Sequence, residues 1–377
     1  MRISEINVVE TREGCELRAL VRCDTHWVWG DEPFGLWYAF PHECRVDLIP
    51  ARGDPFLAAF LPPAMVLGEP LIIEASVSGR LLENVPTIQT IYRCWNPKLA
   101  PIDVQAPRRP EVAGRCDPSR VGLFFSMGVD SSYSLLKNVI AQPDGPNAIT
   151  DLIVVEGFDV YLWERDRFPP MLEAIHKVAR HFGKNVLPVT TNLREFSDRV
   201  ADWLRMYHGP ALASVPLALG SRFGRVHIAA SQTYRVLTAL GTHPLLDPLW
   251  GTESLELVHD GLEADRFDKI RLLAQSPACL ENLRVCTTDQ VTPDYNCGQC
   301  QKCLRTMIGL RVAGVLDHCR TLPHQIDLER LGSLTIPSWT IRQYFEALIA
   351  EMERTGADRE LKHALTHRLA QAPIPEV

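Results

Sequence analysis

Several things are missing from this chain, and each absence removes a class of function. The opening residues, MRISEINVVETREGCE, hold no apolar stretch of the kind a secretory signal needs. No run of about 18 apolar residues occurs, so no membrane span is expected. There is no basic excess: the formal net charge is -7. Proteins that grip a long phosphate backbone usually carry a basic stripe, so nucleic acid is not an expected partner. Internal repeats and low-complexity tracts are also lacking. The 11 cysteines are odd in number and show no framework spacing. That argues against a disulfide scaffold and for metal ligation, in a protein expected to be cytoplasmic.

What remains is an ordinary enzyme-like composition, 46% hydrophobic and 23% charged over 377 residues. At about 150 residues per domain, more than one domain is expected. Residues 1–112 read as a β-rich N-terminal domain. Trp27, Trp29, Trp37 and Tyr38 stand among short apolar runs, and PLIIEASVSGRLLENVPTIQTIYRCW reads as strands about a Gly-Arg turn. A Pro-rich linker follows, with Pro97, Pro101, Pro107, Pro110 and Pro118, its end at 113–118.

From 119 to 250 the texture changes. Short apolar runs (VGLFF, DLIVVEG, NVLPVTT, RVHIAAS) alternate with amphipathic stretches such as PPMLEAIHKVARHFG. This predicts an α/β domain, a parallel sheet with helices on both faces. Residues 251–377 read as a helical C-terminal region interrupted by a cysteine cluster.

Two motifs carry chemistry. The first is Ser126-Met127-Gly128-Val129-Asp130-Ser131-Ser132, placed between the first strand and first helix of the α/β region. Backbone N–H groups at such a helix start, reinforced by its dipole, form an anion site. The hydroxyls of Ser126, Ser131 and Ser132 can add donors, while Asp130 suits a role in meeting Mg²⁺ or orienting the loop. The Lys of the common G-x-x-x-x-G-K-[ST] loop is lacking. The segment resembles instead the S-G-G-x-D-S loop of the PP-loop ATP pyrophosphatases, with the adenine nucleotide α-hydrolase type of fold. Met127 departs from the pattern, standing where that family usually has Gly. The resemblance implies cleavage of ATP between the α and β phosphates, with AMP joined to a substrate oxygen.

The second motif is Cys286 followed by Cys297, Cys300 and Cys303, the last three in C-x-x-C-x-x-C spacing. Four thiolates suit a closed, structural Zn²⁺ site, with an iron–sulfur cluster as the competitor. Together the two motifs resemble the 7-cyano-7-deazaguanine synthase family over roughly residues 119 to 315, and Leu-Arg-Thr after Cys303 fits its Arg-containing helix start. That family uses ATP and Mg²⁺ to adenylate a small deazapurine carboxylate, which ammonia then attacks. A homodimer and an ammonia or sulfur donor protein are the implied partners.

Further residues are candidates with structural alternatives beside them. Lys269 lies where the family carries a Lys before a helix, which implies a phosphate contact, and Arg266 shares its face at i, i+3. A solvated helix face is the alternative. Asp159 follows the second strand at the edge where adenosine would sit. Asp247 sits among prolines, in a substrate loop or a structural turn, and His208 fits a helix cap or a site. Cys116, close to the loop, would be a sulfur carrier if the nucleophile were sulfur, with Cys279 and Cys319 behind it; inert burial is the alternative. Four outcomes stay open: nitrogen attack, sulfur insertion into a purine-like substrate, modification of a protein terminus, and nucleotide binding without turnover, as in defence-associated proteins.

Overall fold

The computed structural model describes residues 1–30, 32–109, 119–220, 222–286, 295–336 and 338–373, side chains included except those of 26 and 27. Cys116 and the expected linker end at 113–118 lie outside these residues.

The strands are β1 (Arg2–Glu10), β2 (Cys15–Arg22), β3 (Phe34–Phe40), β4 (Leu71–Ile73), β5 (Val77–Ser78), β6 (Val104–Gln105), β7 (Arg108–Arg109), β8 (Val121–Phe124), β9 (Asp151–Glu156), β10 (Asn185–Thr191), β11 (Arg225–Ala229) and β12 (Glu256–Asp260). Ten of them make one sheet in the order β12-β11-β8-β9-β10-β3-β2-β1-β4-β6, and β5 pairs with β7 apart from it. The five strands from β12 to β10 are parallel, whereas β3, β2 and β1 join by antiparallel pairing. The chain is thus α/β around a large, mostly parallel sheet.

The helices are α1 (His26–Trp29), α2 (Asp54–Leu67), α3 (Gly79–Trp95), α4 (Val129–Ala141), α5 (Phe168–Phe182), α6 (Leu193–Ser197), α7 (His208–Ala218), α8 (Arg266–Leu273), α9 (Pro277–Leu280), α10 (Gln301–Val312), α11 (Leu328–Gly332), α12 (Trp339–Thr355) and α13 (Arg359–Gln371). They cover both sheet faces because the central strands are apolar on both sides. Along β9 the side chains alternate: Ile153 and Val155 join the core with α2 and α7, while Leu152 and Val154 join the core with α4, α5 and α10. Helix α5 turns Met171, Ile175, Val178 and Ala179 inward and stops at Gly183, whose φ of 65° suits a residue without Cβ. Helix α8 starts with a capping box between Asp265 and Asp268.

The N-terminal part differs from the expected β-rich unit in two ways. The stretch read as strands about a Gly-Arg turn folds, from Gly79 onward, into the 17-residue helix α3. Ser78 caps it by accepting from Leu81 N at 3.1 Å, and Leu81, Val85, Ile88 and Tyr92 repeat at helical spacing on its buried side. Helix α2 is buried from Asp54 to Met65, apolar all round, and packs on α7 of the α/β region. The sheet does not stop between the two parts either. Thr190 and Thr191 of β10 pair with Ala39 and Tyr38 of β3. Asn192 seals that seam, accepting from Trp37 N at 3.0 Å and donating to Gly35 O at 2.9 Å.

In the C-terminal region, helices α8 to α13 match the expected helical character, but ELVHD forms the edge strand β12. Among the described residues, no helix is long and apolar enough to cross a membrane.

Candidate functional site

Strand β8 lies between β9 and β11, and the chain leaves it to one side and later returns to the other. In open parallel sheets the crevice beyond the strand ends at such a reversal is where ligands bind. A cavity of about 320 Å³ opens there. Its wall includes Ser126, Gly128, Asp130 and Ser131 after β8, Asp159 after β9, and Ala229 and Ser231 at the end of β11.

Between β8 and α4 the loop turns sharply. Met127 takes a φ of 59°, the left-handed region. A residue with a Cβ carries a cost of about 1–2 kcal/mol there, so its surroundings must hold it. The Met127 side chain is 1% exposed in the core beside α4, and its carbonyl accepts from the backbone N–H of Arg284 at 3.1 Å. The residue that departs from the S-G-G-x-D-S pattern therefore adopts a backbone conformation that glycine reaches freely.

The loop hydroxyls are only weakly engaged. Gly128 N donates to Ser126 Oγ at 3.4 Å, Ser126 N to Ser131 Oγ at 3.4 Å, and Ser131 Oγ to Gly128 O at 3.3 Å. These lie beyond the usual range of good hydrogen bonds, so both hydroxyls are free to turn to a ligand oxygen. Ser132 is different: it is 1% exposed and faces away from the cavity wall.

Positive charge dominates the cavity. Arg266, Arg284, Lys302 and Arg305 line it, with Lys269 just behind, against the carboxylates of Asp130 and Asp159. Asp130 bridges two of the cations, Arg266 Nη1 at 2.7 Å and Lys269 Nζ at 3.1 Å. Burial pushes the Asp130 carboxyl up, but the cations, Arg266 first and Lys269 next, outweigh it and hold it at about 2. Burial pulls the Arg284 side chain below its ordinary value, and desolvation by the cavity wall lowers the more exposed Lys302. Arg305 falls to about 10, through burial first and the neighbouring Arg266 second. Burial also lowers His208, on the wall beside Trp203 with ring centroids 5.1 Å apart. Asp159 is exposed; partial desolvation raises its carboxyl, but the charges of His208, Lys302 and Arg284 leave it below its usual value.

These cations are incompletely satisfied. Nε of Arg266, Nη2 of Arg284 and Nε of Arg305 are buried without a hydrogen-bond partner. Each such donor costs about 1–3 kcal/mol, more for a charged group.

Next to this wall stands the cysteine knuckle. The sulfurs of Cys286, Cys297, Cys300 and Cys303 all lie within 4.8 Å of one another. Cys286 and Cys300 are 4.0 Å apart, and Cys297 and Cys303 3.8 Å. Tetrahedral Zn–S bonds of about 2.3 Å place sulfurs roughly 3.8 Å apart, so the donor set and its spacing fit a single metal ion such as zinc. Backbone N–H groups support the sulfurs, from Cys300 to Cys297 at 3.3 Å and from Cys303 to Cys300 at 3.4 Å. Asn296 fastens the first ligand's strand. Its Oδ1 accepts from Val285 N at 2.8 Å and Cys286 N at 3.1 Å, and its Nδ2 donates to Leu283 O at 2.9 Å and Thr321 O at 3.0 Å.

The fold thus brings Ser126, Gly128, Val129, Asp130, Ser131, Asp159 and Arg266, all candidates from the sequence, onto the wall of one cavity. Lys269 is not on that wall: 2% exposed, it is spent on Asp130 and on Ala230 O at 2.6 Å. It positions Asp130 rather than reaching a ligand. Asp247 is fully buried and bonded to His259 Nδ1 at 2.6 Å, a structural pair. Cys279 and Cys319 are buried, and burial raises both thiols, Cys279 to about 11. Sequence reasoning missed Arg284 and Lys302, and reached Arg305 only as part of Leu-Arg-Thr. Their signal was proximity to the cysteines, two residues before Cys286 and within two of Cys300 and Cys303.

Comparisons with protein-family models, curated proteins and solved structures find no match to this chain.

Proposed function

We propose that this protein is an ATP pyrophosphatase of the PP-loop type. It adenylates a small heterocyclic, purine-like or deazapurine-like substrate, releases pyrophosphate, and passes the activated carbon to ammonia or an amine. The observation that carries this reading is the serine loop after the central strand β8, opening on a cavity lined by four cations, Arg266, Arg284, Lys302 and Arg305.

The chemistry follows from charge. A substrate oxygen attacks the α-phosphorus, and the bond to the bridging oxygen of the β-phosphate breaks. The leaving pyrophosphate takes the electron pair. Its growing charge is met by the N-terminus of α4, the hydroxyls of Ser126 and Ser131, and Arg266 and Arg305. Asp130 keeps Arg266 aimed, and Lys269 keeps Asp130 in place. Mg²⁺ supplies additional positive charge to the phosphates when bound. Asp159 is the cavity carboxylate without a fixed cation at hydrogen-bond distance, so it is the group free to meet that ion or a ribose hydroxyl. Phe158, Trp203, Leu204, Leu212 and Leu240 give the rest of the cavity an apolar wall suited to a flat ring. The second half-reaction needs only a nucleophile, since AMP is a good leaving group.

The knuckle cysteines are best filled by one Zn²⁺, because a multi-iron cluster spreads its thiolates over several irons. For sulfur insertion, the described residues offer no exposed thiol on the cavity wall outside the knuckle.

The test is turnover by Ser126→Ala and Arg305→Ala variants with ATP, Mg²⁺, ammonium and 7-carboxy-7-deazaguanine, products read by mass spectrometry. Both variants are expected to lose at least about a hundredfold in AMP formation. Unchanged AMP formation in both would remove the loop from the mechanism.

A further inference from the structure

Met127 and the knuckle meet through one residue, and that meeting suggests control of the site. Arg284 donates its backbone N–H to Met127 O at 3.1 Å, holding the loop residue whose φ is 59°. The residue, only 7% exposed, lines the cavity, and its Nη2 is buried without a partner. Two residues on, Cys286 is the first sulfur of the knuckle. Asn296, adjacent to Cys297, grips this segment on both sides of Arg284, through Leu283 O, Val285 N and Cys286 N.

We propose that the segment Leu283–Cys286 is a clamp by which the cysteine knuckle holds the phosphate loop in its anion-binding shape, with Arg284 as positioning residue through its backbone and as anion ligand through its side chain. This rests on reading the cavity as a nucleotide site. A glycine at 127 would reach positive φ unaided, but a methionine must be held there. The knuckle is therefore more than a staple for its own loop. Losing its metal or its bracket frees Leu283–Cys286, lets Met127 relax out of the left-handed region and withdraws Arg284 from the cavity. Anion affinity in this chain becomes dependent on the state of four cysteines.

The test uses inorganic pyrophosphate with Mg²⁺ as the probe, its affinity read by titration calorimetry on the full chain. Circular dichroism follows folding, and elemental analysis follows bound metal. Four proteins are compared: the wild type, Asn296→Ala, Met127→Gly, and the double variant. Asn296→Ala is expected to bind pyrophosphate about five- to thirtyfold more weakly, the equivalent of the released strain. The loss caused by Asn296→Ala is expected to shrink to within about threefold when both proteins of the comparison carry Met127→Gly, so that the double variant binds more tightly than Asn296→Ala alone. Where Asn296→Ala does not fold, chelator-treated wild type and chelator-treated Met127→Gly replace it, with the same expected difference. An Asn296→Ala protein that binds as the wild type does, or a double variant no better than Asn296→Ala, overturns the clamp. A folded, metal-loaded wild type that binds no pyrophosphate overturns the nucleotide reading itself, and the clamp with it.

Discussion

Arg266 Nη1 stands 2.7 Å from Asp130 Oδ2, so a residue at the start of α8 is fixed by a residue in the first turn of α4. The pair is the joint of the site. Lys269 takes the other carboxylate oxygen at 3.1 Å. Asp130→Asn would leave both cations facing a neutral amide. The variant is expected to fold, to lose ATP turnover by at least about a hundredfold, and to bind pyrophosphate more weakly as Arg266 loses its aim. Steady-state kinetics beside calorimetry separates the two effects.

The same joint predicts an acid limit. The folded Asp130 carboxyl titrates at about 2, below its ordinary value of 3.8. Its stabilisation is therefore complete above the unfolded value and is lost as pH falls toward the folded one, on the order of 2 kcal/mol across that window. Asp130→Asn should flatten this part of the stability curve between about pH 4 and pH 2. Denaturant unfolding at stepped pH measures it, and identical curves for wild type and variant would contradict the prediction.

Arg305 exposes a trade between stability and function. Its Nε is buried without a partner, beside Arg266. Removing a buried, poorly paired charge relieves a desolvation cost. Arg305→Met is therefore expected to raise the melting temperature by a few degrees while weakening pyrophosphate binding about tenfold or more. Added pyrophosphate should raise the melting point of the wild type and hardly that of the variant. A variant that melts lower and binds normally would contradict this.

Metal removal has its own signature. Cys303 is fully buried and Cys300 caps α10 by accepting from Cys303 N. Cys300→Ser is expected to lose its metal and melt several degrees lower, since ligand binding here is also folding energy. Elemental analysis of the wild type should give one zinc per chain. A metal-free variant with unchanged stability would reject the structural role, and iron in the wild type would reject zinc.

The sheet seam offers a further check. Only two residue pairs join β3 to β10, and Asn192 adds two hydrogen bonds across them. Asn192 is 7% exposed and its two partners are partly buried backbone groups, so Asn192→Ala is expected to cost about 1–2 kcal/mol. Wild type and variant should each unfold in one transition. Two separate transitions would mean that the N-terminal strands form a unit of their own.

How far the sequence carried this account depends on how local each signal was. The β8–loop–α4 unit and the cysteine knuckle are contiguous, and both were legible. Helix α3 was not: its β-branched residues read as strands about a Gly-Arg turn, although Ser78 and the spacing of Leu81, Val85, Ile88 and Tyr92 mark a capped helix. Strand β12 is short and half-exposed, so ELVHD lacked the apolar run of its neighbours. Arg284 and Lys302 escaped because their role appears only when the knuckle folds them against a loop more than 150 residues earlier. Met127 looked like a flaw in the motif until its φ showed that it takes the shape a glycine would take.

The most direct test of the central claim is the identity of the products when the purified protein turns over ATP with Mg²⁺, ammonium and 7-carboxy-7-deazaguanine, followed by phosphorus NMR. The account predicts AMP and pyrophosphate in equal amounts. ADP and orthophosphate would contradict it.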